Sequence, residues 1–267
     1  MHKVQIADLA WLSTFPHRVM PQDDEWLAGL LLRCDEVNHW ECRTTLAHLF
    51  RSFKGKPLSG TLDLVLVASW MLEALEQRLM LPRSMLLATT YHAELARLYG
   101  TGSPHVSQLH RAFPFRLCPN CIAETRLLRR TVLLPQIRFC PLHHVAFLSR
   151  CHCGAVLEAF HRQTLPFVCY VCGLDWARLP RVRPTAERSK LEQKLLSYYD
   201  FFFTKGTPEL LQSALQLIRE KLKKEKMARV KLLDGRIKQI EHYELTKASL
   251  GYLVALLTSL DLPFPTS

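Results

Sequence analysis

Seven of the nine cysteines lie between Cys118 and Cys172, in pairs whose spacing suits metal ligands. In chain order the pairs are Cys118 with Cys121, Cys140 with His143, Cys151 with Cys153, and Cys169 with Cys172. Each pair can fill two positions around a tetrahedral ion, which then needs a second pair from elsewhere in the chain. The four pairs therefore predict two zinc ions per chain.

Pairing the ligands in sequence order closes each site with a short loop. It gives two groups: Cys118, Cys121, Cys140 and His143 in the first, and Cys151, Cys153, Cys169 and Cys172 in the second. An interleaved arrangement, in which Cys151 and Cys153 join the first pair, is the alternative. Four protein ligands leave no open position for a substrate or an activated water, so both sites are predicted to be structural.

Two histidines adjoin the ligands and could change these sets. His144 could replace His143, and His152 could replace Cys151; otherwise each contacts a ligand or solvent. A disulfide framework is the other common reason for clustered cysteines, but no apolar secretion signal is expected after Met1 and a chain of 267 residues does not need cross-links. Cys34 and Cys42 stand apart and are predicted to be buried free thiols.

Composition indicates a globular protein with a substantial core, since 48% of the residues are hydrophobic. The most apolar uncharged runs, residues 64–72 and 249–260, are shorter than the roughly 18 residues that a membrane span requires. We therefore expect no membrane association and a cytoplasmic location close to the nucleoid.

Basic charge is concentrated in the second half of the chain. Residues 1–100 carry 10 Lys and Arg against 11 Asp and Glu, residues 101–180 carry 9 against 3, and residues 181–240 carry 15 against 7. The N-terminal third is thus suited to protein contact, and the basic regions would attract a phosphate backbone. The predicted backbone contacts are Arg129, Arg130, Arg138, Arg150, Arg162, Arg181, Arg183, Lys221, Lys223 and Lys224.

Apolar periodicity predicts a mainly α fold. The predicted helices begin after an Asp cap within residues 22–25 and continue at 39–53, 62–78, 86–99, 186–203, 207–233, 237–243 and 247–260. Short strands are expected at 131–134, 145–148 and 165–168. The predicted domains are an N-terminal helical domain of helix-turn-helix type (1–102), a central double zinc-ribbon or knuckle module (103–180) and a basic C-terminal helical domain (181–267).

The order of these motifs resembles the TniQ family of transposon target-selection proteins. The family has a Pro-x-x-x-Glu-x-Leu segment before a helix that ends in Leu-x-Arg, and then a zinc module of Cys-Pro-x-Cys, Cys-x-x-His and further knuckles. The matching residues here are Pro21, Glu25, Leu27, Leu31, Arg33, Asn38, Thr89-Thr90-Tyr91 and the cysteine pairs. The resemblance covers about residues 15 to 173.

Two departures from the family pattern concern the zinc module. The family often has a tryptophan shortly before Cys-x-x-His, where this chain has Leu133-Leu134-Pro135-Gln136. Cys151-His152-Cys153 is tighter than the usual two-residue gap, which affects the ligands expected for the second site. Residues 180–267 match no family motif.

The resemblance implies a non-catalytic adaptor in DNA transposition. Such proteins couple a target-recognising element, which is target DNA or an RNA-guided CRISPR effector complex, to an AAA+ ATPase regulator that recruits the transposase. A homodimer is left open, because a dimer face and a partner face look alike in a sequence.

Two other functions can be weighed against the adaptor. His92-Ala93-Glu94 followed by Cys118 and Cys121 imitates a zinc deaminase, but Cys140 and His143 would then displace the catalytic water. A zinc-containing helix-turn-helix transcription regulator is the main alternative. It would need a recognition helix with basic or amide side chains near its start, and the N-terminal helices lack a basic face.

Overall fold

The structure is a computed structural model that describes residues 15–42, 44–51, 69–100, 115–161, 164–224 and 249–265. Within these ranges the chain is mainly helical, which confirms the predicted fold class. The α-helices are α1 (Leu27–Val37), α2 (Thr44–Arg51), α3 (Ser69–Leu79), α4 (Arg83–Ala88), α5 (His92–Tyr99), α6 (Pro119–Thr125), α7 (Ala186–Lys205), α8 (Pro208–Lys224) and α9 (Leu250–Ser259). Two 3₁₀ helices span Arg130–Leu133 and Trp176–Arg178. None of the described helices combines the length and the apolarity needed to cross a membrane.

The described residues divide into two compact units. The first is drawn from Met1–Tyr91, Pro114–Val132 and Val145–Val182, and the second from His92–Phe113, Leu133–His144 and Arg183–Ser267. The predicted division at residues 102 and 180 stays a prediction.

Helix α1 is largely buried in the first unit. Leu27, Leu30 and Leu31 are fully buried, and α1 packs on α2, which in turn packs on α3. Gly29 is required where α1 meets the chain at Leu128, because a Cβ at residue 29 would lie 2.9 Å from the Leu128 Cβ. The tight contact leaves this helix no solvent-facing stripe over its first two turns.

The predicted Asp cap of α1 is wrong. The helix begins after Trp26, which makes no side-chain capping hydrogen bond. Asp24 and Glu25 have other partners: the Thr131 hydroxyl donates to Asp24 at 2.9 Å, and the Arg33 guanidinium donates to both oxygens of Glu25 at 2.8 and 3.0 Å. Both carboxylates are therefore engaged by other side chains and are not available to the helix terminus.

The Glu25–Arg33 pair is buried and fixes the segment before α1. Glu25 is fully buried and also accepts the backbone N–H of Gln22 at 2.9 Å. Burial raises the pKa of Glu25 against the opposing effect of Arg33. Asn38 ends the helix, and its amide donates to the carbonyls of His17 and Cys34, both at 2.8 Å. The segment before α1 is thus tied to the helix through Arg33 and to the residue that ends the helix, Asn38.

The predicted helix 86–99 is two helices, α4 and α5. The hydroxyls of Thr89 and Thr90 donate to the carbonyls of Leu86 and Leu87, both at 2.7 Å, and so compete with helical hydrogen bonds. The predicted helix 62–78 is described from Ser69 onward, and its first residues lie outside the described ranges. The predicted helix 237–243 lies wholly outside them.

Extended structure among the described residues is limited to isolated antiparallel bridges. These join Glu25 to Arg129, Leu117 to Leu148, Arg150 to Val156, and Val168 to Asp175. The predicted strand at 131–134 is wrong, because Arg130–Leu133 forms a 3₁₀ helix whose first N–H donates to the Asp24 carbonyl at 2.8 Å. The other two predicted strands contribute one bridge residue each.

The second unit is built on α7. Helices α5 and α9 pack against α7, and its inward side chains Leu195, Tyr198, Tyr199 and Phe202 are buried. The predicted cap of α8 is confirmed, since the Thr207 hydroxyl accepts the Leu210 N–H at 3.3 Å. These buried side chains recur at helical spacing along one stripe of α7, which is the stripe that packs in the core of this unit.

Candidate metal centres

Helix α6 presents the first two predicted ligands. Cys118 occupies its N-cap position and Cys121 its first turn, with Pro119 at a position where its fixed φ favours a helix start. The two side chains are only 3% and 2% exposed. The positive end of a helix stabilises thiolates, which are the form that binds metal.

A tight turn presents the other two ligands of the first group. The Cys140 Sγ lies 3.5 Å from the His143 Nδ1. Sulfur and nitrogen atoms that share one tetrahedral zinc are about 3.6 Å apart, given the usual bond lengths. The ligand atoms of Cys118, Cys121, Cys140 and His143 all lie within 4.8 Å of one another. This group could therefore hold one metal ion.

Two similar turns form the second group. The Cys151 Sγ lies 3.6 Å from that of Cys172, and the Cys153 Sγ lies 3.7 Å from that of Cys169. Two sulfurs on one tetrahedral zinc are about 3.8 Å apart. All four sulfurs lie within 4.8 Å of one another, so the structure forms the two groups that sequential pairing predicts.

A glycine follows each turn of the second group. Gly154 and Gly173 have φ angles of +88° and +70°, and their N–H groups donate to the carbonyls of Cys151 and Cys169 at 2.9 Å. Glycine adopts this left-handed conformation without steric cost. In the first group His144 has the corresponding place, with φ +50° and its N–H donating to the Cys140 carbonyl at 2.8 Å.

The thiols of the second group differ in acidity. Burial raises the pKa of Cys151 to about 12. Burial also acts to raise the pKa of Cys169, but the backbone N–H groups of Cys172 and Val171 donate to its sulfur and help to lower the pKa to about 7. The thiolate is the form that binds metal, so the backbone donors around Cys169 favour a metal-binding thiolate there.

The remaining cysteines and neighbouring histidines lie outside both groups. Cys34 and Cys42 are buried and form no disulfide, as predicted, and burial raises the pKa of each to about 12. His144 is an exposed turn residue, whereas the exposed His152 places its Nδ1 3.4 Å from the Cys151 Sγ. His152 is thus within reach of a sulfur ligand. Neither described group contains His92, the residue that a deaminase would need.

An ion pair that the sequence did not indicate lies beside the second group. Arg126 donates to both oxygens of Asp175, each at 2.7 Å, and the hydrogen bonds lower the pKa of Asp175 although its burial opposes this. Asp175 also accepts the Ala177 N–H at 2.8 Å and caps the 3₁₀ helix. The partners are 49 residues apart, a distance at which no sequence periodicity operates.

The predicted nucleic-acid contacts fall into three sets. Arg129 and Arg130 are 22% and 19% exposed, and both lie within ion-pair distance of Asp24. Four others are exposed: Arg138, Arg150, Arg181 and Arg183. Lys221 is half-buried on α8, Lys223 and Lys224 belong to α8 with side chains outside the described part, and Arg162 lies outside the described residues. The role of all ten in binding stays a prediction.

Arg130 is held on more than one side. Its guanidinium donates to the Thr90 carbonyl at 2.5 Å and lies 4.8 Å from the centroid of the Tyr91 ring. Thr89-Thr90-Tyr91 and the Asp24-Glu25 segment are thus joined through the chain around residue 130. The Asp24-Glu25 and Thr89-Thr90-Tyr91 elements of the resemblance are thus structural contacts of the first unit.

Comparison with known proteins identifies the region that contains these motifs. The TniQ family model matches residues 16–147, a range that includes the Glu25–Arg33 pair and the first metal-ligand group but ends before the second. No curated protein matches the chain. The match of the TniQ family model to this chain over residues 16–147 confirms the resemblance inferred from the sequence.

Proposed function

We propose that this protein is a non-catalytic adaptor in DNA transposition, linking a target-recognition element to an AAA+ ATPase regulator. The observation that carries the proposal is the TniQ family match over residues 16–147, since the family is one of transposition accessory proteins. The target-recognition element is either target DNA or an RNA-guided effector complex. The ATPase then recruits the transposase.

We further propose that both metal-ligand groups hold zinc. Sets of three thiolates with an imidazole, and of four thiolates, are the usual ligands of tetrahedral structural zinc. The atom separations of 3.5 to 3.7 Å within the groups suit that geometry. When bound, the ions would supply rigidity and no chemistry, because each coordination sphere is filled by protein ligands.

The near-neutral and the basic regions of the chain would bind different partners. The near-neutral residues 1–100 would contact the ATPase, and the basic residues 101–240 would contact nucleic acid or a guide-bearing complex. Arg138, Arg150, Arg181 and Arg183 support this division, since their exposure leaves them accessible to phosphates. A homodimer would bring two such surfaces into one assembly.

Co-purification tests the adaptor. The tagged full-length chain is expressed with its neighbouring genes and recovered at low and moderate salt. An adaptor brings down an ATPase together with an effector complex or target DNA. Recovery of DNA alone, lost steeply as salt rises, would contradict the adaptor and support a DNA-binding regulator.

Charge reversal tests the basic half. Replacing Arg181 and Arg183 with glutamate should weaken nucleic-acid binding. Replacing Arg18 and Arg83 with glutamate changes the net charge by the same amount within the N-terminal third and should leave nucleic-acid binding intact. The binding constant is measured at several salt concentrations. The slope of its logarithm against the logarithm of the salt concentration becomes smaller with each lost phosphate contact. An equal loss for both pairs would contradict the proposed division of partners.

A further inference from the structure

A buried carboxylate on α7 holds the backbone that leads to the first metal-ligand group. Glu192 is only 4% exposed. It accepts the backbone N–H of Arg138 at 3.1 Å and that of Phe139 at 2.9 Å. Phe139 immediately precedes Cys140, a ligand of the group. The carboxylate therefore fixes the 137–138 and 138–139 peptide units, which lie just before Cys140 in the chain.

The carboxylate is itself held by a cation. Arg188 lies one helical turn earlier on α7, and its Nε donates to the Glu192 Oε1 at 3.1 Å. A buried charge is retained in a folded protein when it is paired and hydrogen bonded. With one guanidinium and two backbone donors, Glu192 has a complete set of partners and a fixed orientation.

The same segment is anchored again a few residues earlier. The Tyr199 hydroxyl, also on α7, hydrogen bonds to the Gln136 side chain. Gly251 on α9 faces this segment so closely that a Cβ there would lie 3.1 Å from the Pro135 side chain and 3.2 Å from that of Gln136. Residues 135–139 are thus held by two C-terminal helices that lie beyond the family match.

We propose that Glu192 is a positioning residue for the first metal-ligand group. By accepting the N–H groups of Arg138 and Phe139, it sets the backbone of Cys140 and the turn to His143 before the ion binds. Hydrogen bonds around metal ligands commonly set metal affinity in this way. The proposal rests on the zinc occupancy proposed above, and it gives the C-terminal helices a role in holding that ion.

The test is zinc affinity measured separately at the two groups of one molecule. Glu192→Gln keeps the shape of the side chain but can put an amide N–H where an oxygen accepted a backbone N–H. Competition with a chromophoric chelator should show a loss of about 10- to 100-fold in affinity at the first group, and none at the second. Glu187→Gln, an exposed change of equal charge on the same helix, is the matched control.

Cobalt(II) assigns each affinity to its group, because charge-transfer absorption is stronger with four thiolates than with three. Equal weakening at both groups, or none at either, in Glu192→Gln would overturn the proposal. If that variant does not fold, Arg188→Ala leaves the carboxylate in place and should still weaken the first group selectively; equal effects on both groups would again overturn it. Wild-type protein that binds no metal at the first group would overturn the zinc assignment and this proposal together.

Discussion

The two metal-ligand groups use similar residues in different surroundings. In the first, Cys118, Cys121 and Cys140 are buried and His143 is half-buried. In the second, Cys151 and Cys169 are buried, whereas Cys153 and Cys172 are exposed. A buried ligand set belongs to the packed interior, and a partly exposed one depends mainly on its own short turns. The same chemistry should therefore contribute to stability at the first group more than at the second.

The turns themselves show the same contrast. Both turns of the second group end in a glycine with a positive φ, whereas the Cys140–His143 turn ends in His144, also at a positive φ. The first group is supported by packing and by hydrogen bonds from outside its turn, which allow a less favourable residue there. The second group has less surrounding structure and uses residues whose local conformation costs little.

Removing one ligand from each group should give the largest difference. Cys140→Ser should reduce the zinc content from two ions to one and abolish cooperative thermal unfolding, because binding energy and buried packing are lost together; structural zinc contributes about 10–16 kcal/mol in small domains. Cys153→Ser should also lose one ion but stay folded at a lower Tm. Metal analysis and circular dichroism measure the two effects, and equal loss of folding in both variants would refute the contrast.

A chelator should remove zinc from the second group faster than from the first. The second group exposes two of its four cysteines, so a competing ligand can reach that ion directly, whereas release from the first requires local opening. We expect biphasic zinc release with a colorimetric chelator, at equal amplitudes. In Cys153→Ser the fast phase should disappear and the slow phase remain. A single phase in the wild type would show that exposure does not control release.

The ligand groups could be predicted from the sequence because their information is local. Cysteine pairs separated by one or two residues determine which atoms can share an ion, and loop closure favours sequential pairing over an interleaved one. The long amphipathic helices were predictable for the same reason. Helix α7 was expected at 186–203 and ends at Lys205.

Long-range polar contacts were not predictable, and they account for the wrong cap of α1 and the wrong strand at 131–134. The acidic residues before α1 resemble a helix cap, but Asp24 accepts from Thr131, 107 residues away. Arg130 likewise contacts Thr90, 40 residues away, and the Tyr91 ring. Such pairings depend on which segments the fold brings together, and charge counts carry no information about that.

The Arg126–Asp175 ion pair should have a moderate effect on stability. Asp175→Asn keeps an oxygen to cap the 3₁₀ helix but loses the charge, at a cost of about 1 kcal/mol, because both side chains are about a third exposed. Asp175→Ala loses the cap as well, for about 2 kcal/mol in total. Denaturant unfolding in excess zinc measures both values.

The pH dependence of the stability cost of Asp175→Asn follows from the pKa of Asp175. Because Arg126 lowers this pKa below its usual value of 3.8, the carboxylate stays charged at neutral and mildly acidic pH. The contribution is complete above that usual value and is lost only as the pH falls through the lowered pKa. The cost of Asp175→Asn should therefore be equal at neutral and mildly acidic pH. A cost that shrinks under mildly acidic conditions would contradict the charged pair.

Substitutions of the residues that end the metal-ligand turns should have small effects of opposite sign on stability. His144→Gly should raise stability by about 0.5–1 kcal/mol, since φ +50° strains a histidine more than a glycine. Gly173→Ala should lower it by about 1 kcal/mol, although a Cβ there would meet no atom within 4 Å, because the cost lies in the backbone alone. His144→Ala removes the imidazole but keeps the strain. If it stabilises as much as His144→Gly in zinc-saturated melts, the gain comes from losing the ring and the backbone explanation is wrong.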